Sequence, residues 1–357
     1  MKKTLILILL LMHASYHAGA QREPSVISPE IHPDKTTTFR LHAPSALKVT
    51  LDSDMTTLPV DMTKDSSGIW SVTLGRVRAD LYAYSFVVDG IRICDPGNTL
   101  IESGTGFKNS LVEIPGDSPP MISLIRVPHG NIHYRYYHSS KDGEIRPLVI
   151  YTPPGFNICN NIRYPVIYLL HDETGNEESW VKTGRVNLIA DNLIAMKRTI
   201  PIIIVMPYTD YLSGTGKDFT DELLDDIIPF VEEEYPVVTD SKDRAIAGFG
   251  RGGALSAVAG LSNPGIFANI CTYAPETENK MYDDFISGWN PDPEELKKQI
   301  KHFSVHIGSK DYLYEKVLGT ISRLLGKGLI LETHYAKGAH DWISARTYLT
   351  NSLQELF

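Results

Sequence analysis

The feature that most constrains the fold is a segment in which an apolar run leads into closely spaced glycines and then into a helical pattern. The segment is 244–255, and its first part, Ala245-Ile246-Ala247, is typical of a buried strand. The glycines indicate a tight turn, and the small residues after them are typical of a helix start. A strand and a helix approach closely across such a turn only where the residues between them are small. The sequence therefore predicts an α/β unit built on a glycine turn.

This turn resembles the nucleophile elbow of α/β-hydrolases, which has the frame G-x-S-x-G. Here the frame is Gly248-Phe249-Gly250-Arg251-Gly252, so Gly250 stands where the nucleophilic serine would be. A serine there carries ~1–3 kcal/mol of backbone strain, whereas glycine has no Cβ and adopts the conformation freely. We expect that the elbow is kept and the nucleophile is lost. The alternative interpretation is a generic glycine-rich turn that never served a hydrolase.

Residues 1–20 have the pattern of a secretory signal peptide. Lys2 and Lys3 precede the apolar run 5–11, and Ala18-Gly19-Ala20 provides a small-residue cleavage site. The apolar run is too short to span a bilayer. We expect cleavage after Ala20 and a secreted or periplasmic protein without membrane insertion.

The composition is typical of one or two ordinary globular domains in an acidic chain. The formal net charge is −9 at pH 7, which argues against nucleic acid or an anionic membrane as a partner. The three cysteines, Cys94, Cys159 and Cys271, are odd in number and lack metal-binding spacing. We expect three buried or half-buried thiols, at most one disulfide, and no metal or cofactor.

An all-β domain is predicted for 21–116, where short alternating runs are separated by turn residues. The predicted strands are 38–41, 48–51, 70–74, 82–88 and, after the Asp89-Gly90 hairpin turn, 91–94. The run 82–90 with Asp95-Pro96-Gly97-Asn98 resembles the Ig-like domain at the N-terminus of glycogen-branching enzymes and of many bacterial polysaccharide esterases. Its aromatic residues would form either a sugar-stacking face or core and cross-strand pairs.

Strands and helices alternate in the predicted second domain, 122–357, which follows a linker at 117–121. Strands are predicted at 122–127, 131–137, 146–151, 165–171, 201–206, 270–273 and 303–307, and helices at 221–235, 314–325 and 342–356. This alternation is typical of a doubly wound, mostly parallel sheet. The predicted fold class is therefore α/β, preceded by a small Ig-like β-sandwich.

The second domain resembles the esterase D family, which includes feruloyl and acetyl-xylan esterases. The shared phrases are Val127-Pro128-His129-Gly130, Tyr151-Thr152-Pro153-Pro154-Gly155, Tyr164-Pro165-Val166-Ile167-Tyr168-Leu169-Leu170-His171, Asp191-Asn192-Leu193-Ile194, Val205-Met206-Pro207 and Arg244-Ala245-Ile246-Ala247-Gly248. The resemblance implies an α/β-hydrolase fold and a carbohydrate-esterase ancestry. It extends to the β-sandwich, which these enzymes often carry.

The resemblance also assigns the triad positions, which follow the chain order nucleophile, acid, histidine. Gly308-Ser309-Lys310-Asp311 resembles the acid turn, so Asp311 takes the acid position. Gly338-Ala339-His340-Asp341-Trp342 resembles the histidine loop, so His340 takes the base position and Trp342 lies in the cleft. With Gly250 in the nucleophile position, His340 has only water to deprotonate.

The oxyanion loop departs from the family pattern as well. Family members carry glycines after the strand histidine, whereas this chain has Asp172 and Glu173 after His171. Carboxylates there repel the negative charge that an oxyanion hole must stabilise. The second oxyanion donor would be the backbone N–H of Arg251.

Other nucleophiles and a metal site remain as alternatives. Ser213, Ser256, Ser262 and Cys271 lack the elbow frame. One alternative is a metal site formed by His129, His171 and His340 with Asp172 or Glu173. The other is that these strand-end histidines are hydrogen-bonded scaffolding, which is their more common role.

Three functions follow from these patterns. The first is an exported pseudoenzyme that binds a plant cell-wall polysaccharide fragment, or a partner protein, through the old cleft. The second is an active ester hydrolase that uses water activated by His340 or another nucleophile. The third is a binding module whose function lies in the β-sandwich alone. The oligomeric state is left open.

Overall fold

The structure is a computed structural model and describes residues 26–118, 120–159, 161–209, 216–278 and 280–357. The described residues divide into two compact units, 26–77 with 83–100, and 78–82 with the described part of 101–357. The predicted signal peptide, Ser213 and Pro119 of the predicted linker lie outside the described residues. Among those that are described, no helix is long and apolar enough to cross a membrane.

The first unit is built of short antiparallel strands. They are β1 (Glu30–Ile31), β2 (Thr37–His42), β3 (Val49–Ser53), β4 (Val60–Asp61), β5 (Thr63–Lys64), β6 (Ile69–Leu74), β7 (Asp80–Val88) and β8 (Ile91–Ile93). They form two sheets, of order β1-β2-β6-β5 and β4-β3-β7-β8. Phe39 of one sheet and Tyr84 of the other contact each other with ring centroids 4.6 Å apart. The Ig-like assignment and the boundaries at 116 and 121 stay predictions.

The aromatic residues of β7 are core residues. Tyr82, Tyr84 and Phe86 are all buried, and the rings of Tyr84 and Phe86 are 6.1 Å apart. The alternative of a sugar-stacking face formed by these rings is therefore wrong, because buried rings cannot meet a ligand from solvent.

The second unit alternates strands with helices. Its strands are β9 (Ser110–Ile114), β10 (Asn131–His138), β11 (Ile145–Thr152), β12 (Val166–Leu170), β13 (Ile203–Pro207), β14 (Arg244–Phe249), β15 (Asn269–Tyr273), β16 (His302–Gly308) and β17 (Glu332–Ala336). Its helices are α1 (Ser179–Lys182), α2 (Val186–Ala195), α3 (Gly216–Glu222), α4 (Ile228–Glu234), α5 (Arg251–Ser262), α6 (Lys280–Gly288), α7 (Pro293–Gln299), α8 (Tyr314–Gly326) and α9 (Trp342–Glu355). A π-helical turn, Leu223–Ile227, joins α3 to α4.

The central sheet has the order β10-β11-β13-β12-β14-β15-β16-β17. The β10–β11 and β11–β13 pairs are antiparallel, and every pair from β13 to β17 is parallel. The predicted α/β class with a mostly parallel sheet is confirmed, and the sheet is mixed. Strands β12, β14 and β15 are buried along their whole length, as continuous apolar runs of parallel strands should be.

Two predictions about this unit are wrong. The segment 122–127 is irregular rather than a strand, and the Asn192 side-chain amide donates to the carbonyl oxygens of Met121 and Ser123 in place of a strand ladder. Leu124 is exposed, so the apolar alternation that suggested a strand does not correspond to a buried face. Cys159 is exposed rather than buried, whereas Cys271 is fully buried.

The sheet topology brings several loops together at one edge. Strands β12, β14, β15 and β16 are adjacent and parallel, so their carboxyl ends lie side by side. Ligands of open α/β sheets bind at this edge. Here the loops after these strands carry Asp172, Gly250, Glu276 and Asp311.

Candidate functional site

Gly250 forms the turn between β14 and α5, with φ +56° and ψ −118°. Side chains with a Cβ rarely adopt this conformation, because the Cβ crowds the backbone. The flanking glycines are required by packing: a Cβ on Gly252 would collide with the carbonyl oxygens of Leu170 and His171, and one on Gly248 with the carbonyl of Gly252. The backbone of this turn therefore has the shape of a nucleophile elbow.

The carboxylate of Asp172 lies in the space that a nucleophile side chain would take. A Cβ at position 250 would be 1.9 Å from Asp172 Oδ1 and 3.2 Å from His340 Nε2. Asp172 Oδ1 also accepts a hydrogen bond from the backbone N–H of Arg251, at 3.2 Å. In α/β-hydrolases the N–H of the residue after the nucleophile stabilises the oxyanion. The Asp172 carboxylate thus occupies the nucleophile position and also accepts the hydrogen bond of the N–H that would stabilise the oxyanion.

The environment of Asp172 keeps it ionised. Desolvation by burial works to raise the pKa of this carboxyl group, but His340 and the backbone N–H groups of Glu173 and Arg251 outweigh it and lower the pKa below its ordinary value. A carboxylate that is paired with a cation and accepts backbone N–H groups is stabilised in its charged form. Asp172 therefore presents a fixed negative charge where an oxyanion would develop.

His340 lies between two carboxylates. Its Nδ1 donates to Asp311 Oδ2 at 3.0 Å, and its Nε2 is 3.7 Å from Asp172 Oδ2, an ion-pair distance rather than a hydrogen bond. The Asp311 side chain is fully buried, and its Oδ1 accepts the backbone N–H of Leu313 at 2.9 Å. The His340 ring stacks on Phe249 at 4.6 Å. These contacts fix the orientation of the imidazole.

The same contacts make His340 a poor base. Desolvation by burial works to lower its pKa, but Asp172 and Asp311 raise it to about 9. An imidazolium at neutral pH has no lone pair with which to take a proton from a nucleophile or from water. The arrangement can hold a cation between two anions, and it does not provide a general base at neutral pH.

His171, placed in the cleft by the sequence, acts as a support for the loop instead. It is buried, its Nδ1 donates to the carbonyl oxygen of Asp172 at 2.7 Å, and its Nε2 accepts the backbone N–H of Thr209 at 3.0 Å. Both ring nitrogens are therefore used to hold the loop after β12. Glu173 is exposed, so Asp172 is the carboxylate of this loop that reaches the elbow.

Of the alternative nucleophiles, the three that lie in the described part of the chain do not reach the elbow position. Ser256 is buried in α5, where its hydroxyl donates to the carbonyl of Gly252 at 2.7 Å. Burial raises the pKa of the Cys271 thiol to about 11, so it stays protonated and unreactive. Ser262 is an exposed residue at the end of α5.

The metal site suggested for His129, His171 and His340 is not assembled. His129 Nδ1 donates to Asp191 at 2.9 Å, and His171 is bound within its own loop. A different group of three potential ligands does come together among the described residues: His306, His334 and Glu355.

Glu276 belongs to the site and was missed in the sequence. It follows β15, and its backbone N–H donates to the carbonyl of Gly250 at 3.0 Å. Desolvation by burial and the nearby carboxylates of Asp172 and Glu173 raise the pKa of Glu276 to about 7. Its position after a parallel strand was the only sequence signal that could have found it.

Aromatic side chains surround the elbow. The ring of Tyr312, which is 69% exposed, is 5.0 Å from that of His340. The ring of Trp342 contacts Phe249 at 5.8 Å and Trp180 at 5.1 Å. The sequence placed Trp342 in the cleft and gave no role to Tyr312 or Phe249.

A small cavity adjoins Asp172 and Trp342. Its volume is about 60 Å³, and segment 102–108 forms its other wall. Within that wall, the backbone N–H of Thr105 donates to the carbonyl of Thr174 at 2.9 Å. Preformed pockets for small molecules are usually ~300–1,000 Å³, so this cavity is too small to enclose an aromatic acid.

The chain is similar in sequence to known esterases. Residues 139–308 match the esterase family described as "Putative esterase". An endo-1,4-beta-xylanase/feruloyl esterase of Xylanibacter ruminicola is 29% identical over 94% of this chain, and the match covers 46% of that protein. Endo-1,4-beta-xylanase Y of Acetivibrio thermocellus is 29% identical over 30% of this chain and 11% of its own length. The chain thus spans less than half of these curated relatives.

Solved structures agree on the fold. The enterobactin esterase FES of Shigella flexneri, determined in the presence of enterobactin, is 15% identical and has a TM-score of 0.69 over 90% of this chain and 92% of its own. A ferulic acid esterase of Anaeromyces mucronatus in complex with ferulic acid is 21% identical, with a TM-score of 0.56 over 66% of this chain and 93% of its own. Together with the sequence matches, these likenesses identify a feruloyl esterase-like α/β-hydrolase fold.

Proposed function

We propose that this protein is an exported, non-hydrolytic relative of carbohydrate esterases that binds a plant cell-wall polysaccharide fragment at the carboxyl edge of its central sheet. The observation that carries the proposal is the position of Asp172. Its carboxylate lies in the nucleophile space beside Gly250 and accepts the Arg251 N–H.

Serine-esterase chemistry needs a nucleophile, a neutral base and a positively polarised oxyanion site. Gly250 supplies no nucleophile, His340 is protonated at neutral pH with a pKa of about 9, and Asp172 brings negative charge to the oxyanion site. Each change opposes the same transition state, so together they argue against hydrolysis more strongly than the missing serine alone.

Two features support a carbohydrate ligand. Two of the relatives that match in sequence are named as xylanases, one of them also as a feruloyl esterase, and the fold is that of a feruloyl esterase-like protein. At the elbow, the exposed ring of Tyr312 offers an apolar face on which a sugar or aryl ring can stack. Asp172 and Glu276 offer carboxylate oxygens as acceptors for sugar hydroxyls.

Hydrolysis is tested with methyl ferulate and acetylated xylan. Removal of a triad serine lowers kcat by about 10⁶, and we expect turnover near background in the wild-type protein. A kcat above roughly 1 s⁻¹ on methyl ferulate, abolished by His340→Ala, would show that the site is an active esterase.

Binding is tested by isothermal titration with feruloylated arabinoxylan oligosaccharides. We expect saturable binding that Tyr312→Ala weakens by tenfold or more. Tyr136→Ala is the matched control, because Tyr136 is an equally exposed tyrosine on β10. Absence of binding, or equal weakening by the two variants, would contradict the proposed ligand and site.

A further inference from the structure

A second cluster of ionisable side chains lies on strands β16 and β17 and at the end of α9. His306 and His334 are register partners on the two parallel strands, and their rings are stacked with centroids 4.2 Å apart. Glu355, the last residue of α9, reaches the same place, with its Oε2 3.5 Å from His334 Nε2. The proposed carbohydrate site uses none of these residues.

His306 has a buried nitrogen that lacks a hydrogen-bond partner. The residue is fully buried, and its Nε2 is 3.2 Å from the hydroxyl oxygens of Ser304 and Ser352. Its Nδ1 is buried and unpaired. When Nε2–H donates to a serine oxygen, Nδ1 carries a free lone pair, as a metal-ligating imidazole does. An unpaired buried polar atom is destabilising, so a ligand that satisfies it is stabilising.

His334 presents a second nitrogen of the same kind. Its Nε2 is buried without a hydrogen-bond partner, and the nearest carboxylate oxygens, from Glu355 and Glu332, are 3.5 and 3.8 Å away. The His334 side chain as a whole is 27% exposed and that of Glu355 is 35% exposed. Both side chains therefore have room to adjust, whereas His306 is fixed by its serine contacts.

The donor set indicates the class of ion. Each of His306, His334 and Glu355 offers one ligand atom, and these three atoms lie within 4.8 Å of one another. Two imidazole nitrogens and one carboxylate oxygen suit zinc, whereas calcium and magnesium prefer all-oxygen sites. Tetrahedral ligands at zinc bond lengths are roughly 3.3 Å apart, so the His334 and Glu355 side chains must move inward by about 1–1.5 Å to close the site. The His334 ring must also turn out of its parallel stack on His306, because the lone pair of an imidazole nitrogen lies in the ring plane.

We propose that His306, His334 and Glu355 bind one zinc-class dication, which ties the C-terminal end of α9 to the edge strand β17. The role is structural: the ion joins an edge strand to a helix that begins beside the elbow with Trp342. The remaining coordination position is filled by water.

The test measures zinc binding by the untagged, metal-free full chain. We expect titration calorimetry to show one saturable Zn²⁺ site and thermal unfolding to shift upward with zinc, because an ion that binds only the folded state stabilises it. His334→Gln and Glu355→Gln, both at partly exposed positions, should each weaken zinc binding tenfold or more. His138→Gln, which removes an exposed histidine of β10, should leave the affinity unchanged, and Ca²⁺ should give no shift.

Three results would overturn the site. The first is the absence of a saturable Zn²⁺ site with a dissociation constant below about 100 µM (~5.5 kcal/mol of binding free energy). The second is a zinc affinity equal to that of wild type in both His334→Gln and Glu355→Gln. The third is a loss of zinc affinity in His138→Gln as large as in those two variants. Circular dichroism of each variant establishes that it is folded before its affinity is compared.

Discussion

Asp172 Oδ1 and Gly250 lie so close that a Cβ on residue 250 would be 1.9 Å from that oxygen. The two residues are therefore mutually dependent: the carboxylate takes its present position only because residue 250 has no side chain. The Arg251 N–H and His340 hold the carboxylate there. A side chain introduced at position 250 must therefore displace the Asp172 carboxylate.

Gly250→Ser alone should destabilise the protein without restoring an esterase. The serine must adopt φ near +56° and displace the Asp172 carboxylate, and the backbone strain alone costs about 1–3 kcal/mol. Chemical denaturation and methyl ferulate turnover measure the two effects. Gly319→Ser is the control, since this exposed glycine of α8 has open space around it and should tolerate serine. A fully stable and active Gly250→Ser variant would contradict both the strain and the steric conflict.

Gly250→Ser combined with Asp172→Gly should recover more activity than the two single changes together. Nucleophile and oxyanion donors act on one transition state, so their effects are non-additive. Addition of Glu173→Gly to the pair should contribute little, because Glu173 is exposed. Methyl ferulate kinetics of the single, double and triple variants give the coupling. Strict additivity would mean that Asp172 does not obstruct the site.

The pKa of His340, about 9 in the native protein, should fall in Asp172→Asn, because one of its two carboxylates is removed. Proton NMR titration of the His340 ring measures the pKa directly. Asp284→Asn, which changes an exposed carboxylate on α6, should not move it. An unchanged His340 pKa in Asp172→Asn would show that Asp311 alone sets its charge.

A pH dependence of stability follows from the same pair. The His340 pKa is raised on folding, so its contribution is complete below the unfolded value of about 6.5 and is lost as the pH rises through about 9. The wild-type melting temperature should therefore drop across this interval, and Asp172→Asn should flatten the drop. A wild-type profile that is level from pH 6.5 to 9 would contradict the ion pair.

Glu276→Gln should stabilise the protein at alkaline pH. Desolvation by burial and the charges of Asp172 and Glu173 raise the Glu276 pKa to about 7, so above this pH the protein carries a carboxylate that opposes folding. The melting temperature of the variant should exceed that of wild type at pH 8.5 and match it near pH 4.5. Glu144→Gln, at an exposed position, should show no such difference. A lower melting temperature for Glu276→Gln at pH 8.5 would mean that the carboxylate is stabilising.

The sequence determined the fold class because the signals for it are local. Buried parallel strands such as 244–249 are continuous apolar runs, and the glycines of the turn after them are fixed by close packing against the adjacent loop. Gly250 could be assigned to the predicted nucleophile position from the glycines on either side of it, and Asp311 and His340 to the acid and base positions from short phrases in the right order. Segment 122–127 was wrongly predicted as a strand, because an alternating pattern does not reveal whether a neighbouring strand is available for pairing.

Only the tertiary structure decided how the charges of the site interact. That Asp172 fills the space beside Gly250 and pairs with His340 depends on the path of the loop after β12, which His171 and Thr209 hold. Adjacency of strands in the sheet also places Glu276 at the elbow and, at a separate place, brings His306 and His334 together. Electrostatic interactions fall off with distance and depend on burial, and neither quantity can be read from positions along a chain.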